Sequence, residues 1–448
     1  MVRDLSAIFK AYDIRGVYPS ELDEDVARRI GGAFADFTKA SKIALGRDMR
    51  SSSPDLARAF SDGAMGAGAT VVDLGEVSTD ALYFASGILD VPAAMFTASH
   101  NPAKYNGIKV CRAQAAPIGG DSGLQEIRAL AEGRDFVDEG QEGLLEERDI
   151  LEEYAAHCRK LVDAQVLRPL KVAIDAGNGM AGKTVPIVFK ELPFEVLPLF
   201  FELDGTFPNH PANPIEPENI VQLQETVQRE RCDLGIAFDG DADRMFLVDE
   251  LGAPISGSLT TALVAEQILK KWPGESVIYN LICSWTVPEV IQENGGKPIR
   301  TRVGHSYIKE IMAKTGAIFG GEHSGHYYFR DNFRADSGMI AALIVLEALS
   351  KSDRPLSESL EPFRRYAASG EINSEVMDQD AAIERVAEVY SEGKQDRTDG
   401  LTVEFDDWWF NVRASNTEPL LRLNLEASSN EQMEMKRDEV LSVIRRDS

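Results

Sequence analysis

Three polar segments of this chain carry residue types that could do chemistry together. DGDADR places Asp239, Asp241 and Asp243 at alternate positions. In an extended segment that period turns the three carboxylates to one side. Like charges so close repel unless a cation neutralises them. Hard oxygen donors, with no cysteine or histidine among them, suit Mg²⁺ better than Zn²⁺. Arg244 follows directly, able to grip an anion offered to that metal. A calcium EF-hand is not expected, because apolar strand-like stretches, not a pair of helices, flank the loop. In FTASHNP, Ser99 follows the apolar run AAMF. A hydroxyl is a poor nucleophile without activation, and the elbow G-x-S-x-G of acyl-enzyme hydrolases is absent. With Lys109 and the aspartates nearby, the chemistry indicated is phosphate chemistry: a phosphorylated serine beside a divalent cation. His100 has three roles open to it: holding the loop, relaying a proton, or touching phosphate.

Two further segments complete the set. RASNTEPLLR gathers Arg413, Ser415, Asn416, Thr417 and Arg422. Guanidinium forks with hydroxyl and amide donors match a dianionic phosphate; the plain alternative is a polar hairpin turn. GGEHSGH offers Glu322, His323 and Ser324. A carboxylate can accept from two sugar hydroxyls, a serine serves as donor or acceptor, and glycines permit close approach. A metal site or a structural turn are its alternatives. His305 in RVGHSYI reads either as a pocket histidine or as a buried structural one. No Walker motif or dinucleotide glycine fingerprint is read in the chain, and the fragments GAGAT and AGNG are too weak to indicate nucleotide binding.

These residues need elements to hold them. KIALG from Lys42, TVVDLG from Thr70, KVAIDAG from Lys171 and SVIYNL from Ser276 read as strands. Helical stretches between them, such as the one opening at Pro54, predict parallel α/β layers. A local pattern repeats three times: AAMF, LGIAF and GAIF each enter a polar loop, and IKV, MFLVD and YYF leave it. We therefore expect three related α/β domains, each giving one loop to a shared cleft. Met339, Leu343, Leu346 and Leu349 mark one apolar helix face, broadened by Ala342 and Ala348. FPNHPANPIEP, with proline every third position, reads as an ordered, extended loop. Residues 131–153 hold ten acidic and two basic side chains and read as a solvated helical surface. After about residue 368 the order becomes helix, strands, helix, a smaller α+β domain. Trp408 and Trp409 are adjacent, so one faces that domain's core and the other is left to dock it.

Composition bounds the rest. Among 448 residues, 47 are Lys or Arg and 73 are Asp or Glu, a net charge of −26 that argues against nucleic acid as a partner. No apolar run is long enough to span a membrane. Four scattered cysteines fit a reducing, cytoplasmic setting.

The whole chain resembles the alpha-D-phosphohexomutases. The resemblance rests on AYDIRG, GRDMRSSS, TASHNP, NGIK, DGDADR, GEHSGH and RASNTEP occurring in this order. It implies four domains around a cleft, drawn here at 1–155, 156–253, 254–367 and 368–448. Ser99 would carry the phosphoryl group and help Asp239, Asp241 and Asp243 hold Mg²⁺. Glu322, His323 and Ser324 would meet the sugar, and the 413–422 loop the phosphate that is not reacting. Arg15, His100, Lys109, Arg244 and His305 would surround the transferring group. The implied reaction moves phosphate between O1 and O6 of mannose or glucose through a hexose 1,6-bisphosphate, in a monomer or a homodimer. DGDADR and Asn416 resemble hexose-phosphate members more than aminosugar members. A phosphoglucosamine mutase and a non-catalytic sugar-phosphate sensor are the rival readings. One departure stands out: Ile282 occupies a position where such proteins often carry a basic residue.

Overall fold

Each of the three repeated patterns is an antiparallel hairpin. Ala93–Phe96 pairs with Tyr105–Arg112, Leu234–Phe238 with Met245–Asp249, and Phe319–Gly321 with Tyr327–Phe329. The entering strand of each also lies parallel to a strand of the βα layer behind it: Lys42–Arg47, Lys171–Asp175 and Ser276–Asn280 respectively. The sheets are therefore mixed, not purely parallel. Short loops leave no room for the crossover that a parallel return would need, so the active loops sit at hairpin tips. The computed structural model describes residues 4–133, 143–414 and 420–446, without the side chains of Asp121 and His305.

One apolar cluster runs through the first three units, from Val72 and Tyr154 through Ile174 and Phe238 to Leu263 and Leu346. The helix Gly338–Lys351 lies within it. Its expected face of Met339, Leu343, Leu346 and Leu349 is buried, but so are Ile340, Ile344 and Val345. Packing between units covers it all round, and Glu347 survives there because Lys271 and Lys351 each approach to 2.7 Å. The fourth unit has its own core. Its five strands run antiparallel in the order Ala367–Glu375, Leu420–Ala427, Trp408–Ala414, Leu401–Glu404, Lys394–Asp396. Trp408 stacks on Phe405 at 4.5 Å inside that core. Trp409 faces the other way, donating Nε1–H to Glu426 Oε2 (2.9 Å) and lying 6.5 Å from Trp285 of the third unit.

The acidic stretch is not one helical surface. The helix Leu124–Gly133 ends there, residues 134–142 lie outside the described ones, and Leu145–Glu147 is a strand on the edge of the first sheet. The helix Leu151–Lys160 then begins.

Asp80 ties the first unit to the third at the N-terminus of the helix Thr79–Leu89. Its carboxylate accepts from Ser78 Oγ, from Tyr154 OH at 2.5 Å and from Ser337 Oγ at 2.6 Å. Burial pushes its pKa up to about 6, and the three hydroxyl donors only partly oppose this. A raised carboxyl pKa gives stability that is full below the unfolded value of 3.8 and lost as pH rises through about 6. Measured by urea unfolding, the stability of the wild type relative to Asp80→Asn should fall by about 2 kcal/mol between pH 4 and 7. Parallel pH profiles for the two proteins would contradict this assignment.

Candidate active site

Ser99 sits at the tip of the first hairpin with φ 50°, in the left-handed region. That conformation is uncommon outside glycine and needs support. Thr97 Oγ1 accepts the Ser99 N–H at 2.9 Å. The larger support is Arg50, whose guanidinium is wholly buried. Nη2 donates to the carbonyls of Ser99 (2.9 Å) and Asn101 (2.7 Å), and Nη1 to those of Pro102 and Tyr105 (both 3.0 Å). Nε donates to Asp48 Oδ2 at 3.1 Å. Five N–H groups thus meet five acceptors, the condition under which a buried guanidinium is tolerated. Phe207, in the proline-rich loop of the second unit, covers Arg50 at 5.1 Å from its ring centre. That loop is ordered, as expected, but runs through bends and turns instead of extending, and His210 Nε2 holds it to Asp175 Oδ2 at 3.0 Å.

The aspartate loop meets this tip across the unit boundary. Ser99 Oγ donates to Asp239 Oδ2 at 2.7 Å. Gly240 makes the approach feasible: a Cβ there would lie 2.5 Å from the Ser99 carbonyl oxygen. The segment is a turn, with Ala242 at φ 62°, so the carboxylates converge by backbone reversal and not by the alternation of an extended strand. Lys109 Nζ bridges Asp241 Oδ2 (2.7 Å) and Asp243 Oδ2 (2.6 Å). Thr79 Oγ1 also donates to Asp241 Oδ2 at 2.6 Å, and Arg244 Nε to Asp239 Oδ2 at 2.9 Å.

Charge is out of balance here, with three buried carboxylates facing two cations. Burial pushes Asp239 up to about 7 against the pull of Arg244. Burial also opposes charge on Asp241, but Lys109 in contact outweighs it and holds that carboxyl well below the usual range. Asp241 Oδ1 and Asp243 Oδ1 are buried without a hydrogen-bond donor among the described residues. One oxygen from each of the three aspartates falls within 4.8 Å of the others. Orphaned hard oxygens on one side of the cluster fit a divalent cation.

The cleft above this cluster, about 130 Å³, is lined in part by Arg15, His100, Lys109, Arg244 and His326. Arg15 donates to Asn101 Oδ1 (2.6 Å) and Asp13 Oδ2 (2.5 Å). His100 Nδ1 is 3.1 Å from Ser99 Oγ. Burial, followed by Arg244 and Arg15, pushes its pKa well down, so the ring is neutral at pH 7. On the third hairpin, Glu322 is buried and accepts from Asn280 Nδ2 (3.2 Å), the Gly304 N–H (3.1 Å) and Tyr328 OH (2.9 Å). Ser324 Oγ lies 3.1 Å from His326 Nδ1, and His323 Nδ1 lies 2.9 Å from Ser258 Oγ. Arg413 and Arg422 share the carboxylate of Glu371. Ser415, Asn416 and Thr417 lie outside the described residues, as does the side chain of His305, which opens the helix His305–Thr315. Ile282 is buried, 6% exposed.

Family models cover nearly the whole chain: phosphoglucomutase/phosphomannomutase alpha/beta/alpha domain I at residues 6–138, domain II at 152–252, domain III at 256–366, and the C-terminal domain at 371–443. This chain belongs to the phosphoglucomutase/phosphomannomutase family. It is 43% identical to a phosphomannomutase of Escherichia coli strain K12 over 430 residues, 94% of each chain. It is 42% identical to a protein named phosphohexose mutases from Xanthomonas campestris pv. campestris, covering 98% of this chain and 99% of that one. A solved phosphoglucomutase/phosphomannomutase family protein from Burkholderia thailandensis superposes with TM-score 0.90 at 33% identity, over 99% of this chain and 98% of that one. The protein is accordingly an enzyme, a phosphosugar mutase of the isomerase class. Among the described residues no helix is long and apolar enough to cross a membrane.

Several residues of this phosphohexomutase have roles that sequence reasoning did not give them. Arg50 lay inside a motif without a task. His326, not His323, stands beside the aspartates, with Nε2 3.7 Å from Asp243 Oδ1. Lys309 Nζ is buried 2.7 Å from Asp336 and 3.7 Å over the ring of Tyr83. One negative reading needs correcting as well. GNGMAGKT from Gly177 matches the spacing of both G-x-G-x-x-G and G-x-x-x-x-G-K-T, a fuller match than AGNG alone suggests. It even lies between the strand Lys171–Asp175 and the helix Ala181–Phe189. Yet its N–H groups are spent on Asp175, Phe200, Ala176, Gly240 and Gly179, and Lys183 Nζ donates to the Glu76 carbonyl at 2.9 Å. No nest of free N–H groups is left among residues 177–180 to cradle a phosphate, so the glycines serve packing: a Cβ at Gly182 would lie 2.1 Å from the Phe201 carbonyl oxygen.

Replacing Arg50 by lysine keeps the charge but cannot serve four carbonyls and a carboxylate at once. Arg50→Lys should lower turnover about tenfold or more, through a displaced Ser99, and lower the melting temperature. Turnover and melting unchanged from wild type would refute this role.

Proposed function

We propose that the enzyme interconverts the 1- and 6-phosphates of mannose, and of glucose, by passing the phosphoryl group through Ser99. The observation that carries this is the contact of Ser99 Oγ with Asp239 at 2.7 Å, beside two orphaned carboxylate oxygens. O1 and O6 lie at opposite ends of a hexose, so one internal jump cannot link them. Phospho-Ser99 gives its phosphoryl to the free sugar hydroxyl: the P–Oγ bond breaks, the sugar O–P bond forms, the sugar's proton passes to Ser99 Oγ, and a 1,6-bisphosphate results. That sugar turns over in the cleft, and its other phosphate returns to Ser99 Oγ as the sugar O–P bond breaks and the serine proton passes to the sugar oxygen.

Asp239, Asp241 and Asp243, with the seryl phosphate, would hold Mg²⁺, which when bound supplies positive charge for the transferring group. Lys109, Arg244 and Arg15 steady charge on the phosphoryl oxygens. His100, neutral and 3.1 Å from Oγ, is placed to take the serine proton. Glu322, His323, Ser324 and His305 serve sugar recognition and proton relay, and Arg413, Ser415, Asn416, Thr417 and Arg422 receive the idle phosphate. In this reading 1–155 is the phosphoserine domain, 156–253 the metal domain, 254–367 the sugar domain and 368–448 the phosphate domain. A cytoplasmic setting suits the four unpaired, buried cysteines.

The deciding experiment assays each sugar 1-phosphate, primed with its 1,6-bisphosphate, and maps intact mass after the bisphosphate is added. We expect hexose 6-phosphate product and one phosphate on Ser99; activity confined to the aminosugar substrate would overturn the reading. Ser99→Ala should abolish turnover while retaining sugar-phosphate binding by calorimetry, and normal turnover would reject the phosphoserine route. Asp241→Asn should raise the magnesium concentration for half-activity by about tenfold or more and lower the rate. An unaltered titration would speak against the metal assignment.

A further inference from the structure

Arg413 and Arg422 stand directly opposite each other on the neighbouring strands Trp408–Ala414 and Leu420–Ala427. Like charges in such a pair repel, so the arrangement needs an anion. In this structure the anion is Glu371, on the strand Ala367–Glu375 at the far side of Arg422. Glu371 Oε2 lies 2.8 Å from Arg413 Nη2 and Oε1 lies 3.2 Å from Arg422 Nη1. The register shifts between Ala368 and Glu371, with Gly370 at φ 68°, and this bulge lets the carboxylate reach past the intervening strand. Two guanidiniums share a single negative charge. Nε of each is buried without a hydrogen-bond acceptor among the described residues. Arg413 points to the same side of its strand as Trp409, which faces Trp285 of the third unit.

We propose that Glu371 is a built-in stand-in for the substrate's idle phosphate: it keeps the two arginines together when no phosphate is bound and competes with phosphate for them. This rests on the phosphate-loop reading given above, and only on its Arg413 and Arg422. A carboxylate left beside an arriving dianion weakens its hold. That suits an enzyme whose bisphosphate must release this loop, turn and bind again. A merely structural brace would behave in the opposite way, because its loss would loosen the arginines and weaken binding. The sign of the effect therefore separates the two.

Calorimetric titration with glucose 1-phosphate in a Ser99→Ala background, where no turnover interferes, tests this. Glu371→Gln, nearly isosteric, should tighten binding about fivefold, the scale of one like charge near a dianion in a wet site. Arg413→Ala should weaken binding about tenfold or more. With Ser99 restored, Glu371→Gln should lower KM. If Arg413→Ala leaves affinity unchanged, the phosphate-loop reading fails and the stand-in falls with it. If Arg413→Ala weakens binding while Glu371→Gln leaves it unchanged or weaker, with an unshifted melting temperature, the loop reading stands and the stand-in is refuted. Should Glu371→Gln melt early, Glu371→Ala is read by the same criterion.

Discussion

Burying three aspartates together is the constraint around which this molecule is arranged. Charges removed from water are tolerated only when paired and hydrogen-bonded, and no single unit of this chain supplies the partners. Lys109, Thr79 and Ser99 come from the first unit, the aspartates and Arg244 from the second. The two loops are therefore complete only in contact. Their closeness is bought with small residues: Gly240 under the Ser99 carbonyl, Gly179 against the Gly240 carbonyl, and Gly338 beside the Arg244 backbone, where an added Cβ would lie 2.5, 2.6 and 2.9 Å from the nearest atom. Arg50 then fixes the serine tip from beneath, and Asp80 fixes the helix that presents Thr79.

The same logic distinguishes the first three units from the fourth. The first three units share one apolar cluster, which cannot be opened without exposing large side chains to water. The fourth meets the third through more polar and aromatic contacts: Arg300 with Glu404 at 2.6 Å, the Val303 N–H with Asp399 at 3.0 Å, and Trp285 and Trp409 around Glu426. Contacts of this kind can be exchanged for water at small net cost. Arg413 and Arg422 stand on that fourth unit.

What could be read in the sequence was what is local. Strand, polar loop and returning strand are contiguous, so the three hairpins and the residues at their tips were legible, including the meeting of Ser99 with the aspartates. The strand Ala367–Glu375 was not, because AASGEINSE is an edge strand with little apolar alternation to betray it. Nor was the task of Arg50, whose carbonyl partners lie about fifty residues away and have no side-chain signature. Choosing between His323 and His326 required the backbone turn at Gly325, φ 86°, which no periodicity records. GNGMAGKT shows the converse failure: the letters of a phosphate loop are present, but φ/ψ and packing have already used its donors.

A net charge of −26 is at first sight ill suited to an enzyme for dianions. The cleft resolves this by keeping each cation beside a carboxylate: Arg15 with Asp13, Lys109 with Asp241 and Asp243, Arg244 with Asp239, Arg413 and Arg422 with Glu371. Such pairs project little field outward, and surface acids are screened beyond roughly 8 Å at physiological salt. Long polyanions are thus turned away by the acidic exterior. A small phosphate that enters the cleft meets guanidinium and ammonium groups at contact distance, where screening is weakest and each group still has donors to give. Pairing every cation in advance also holds its geometry, so binding does not have to pay again for ordering flexible side chains.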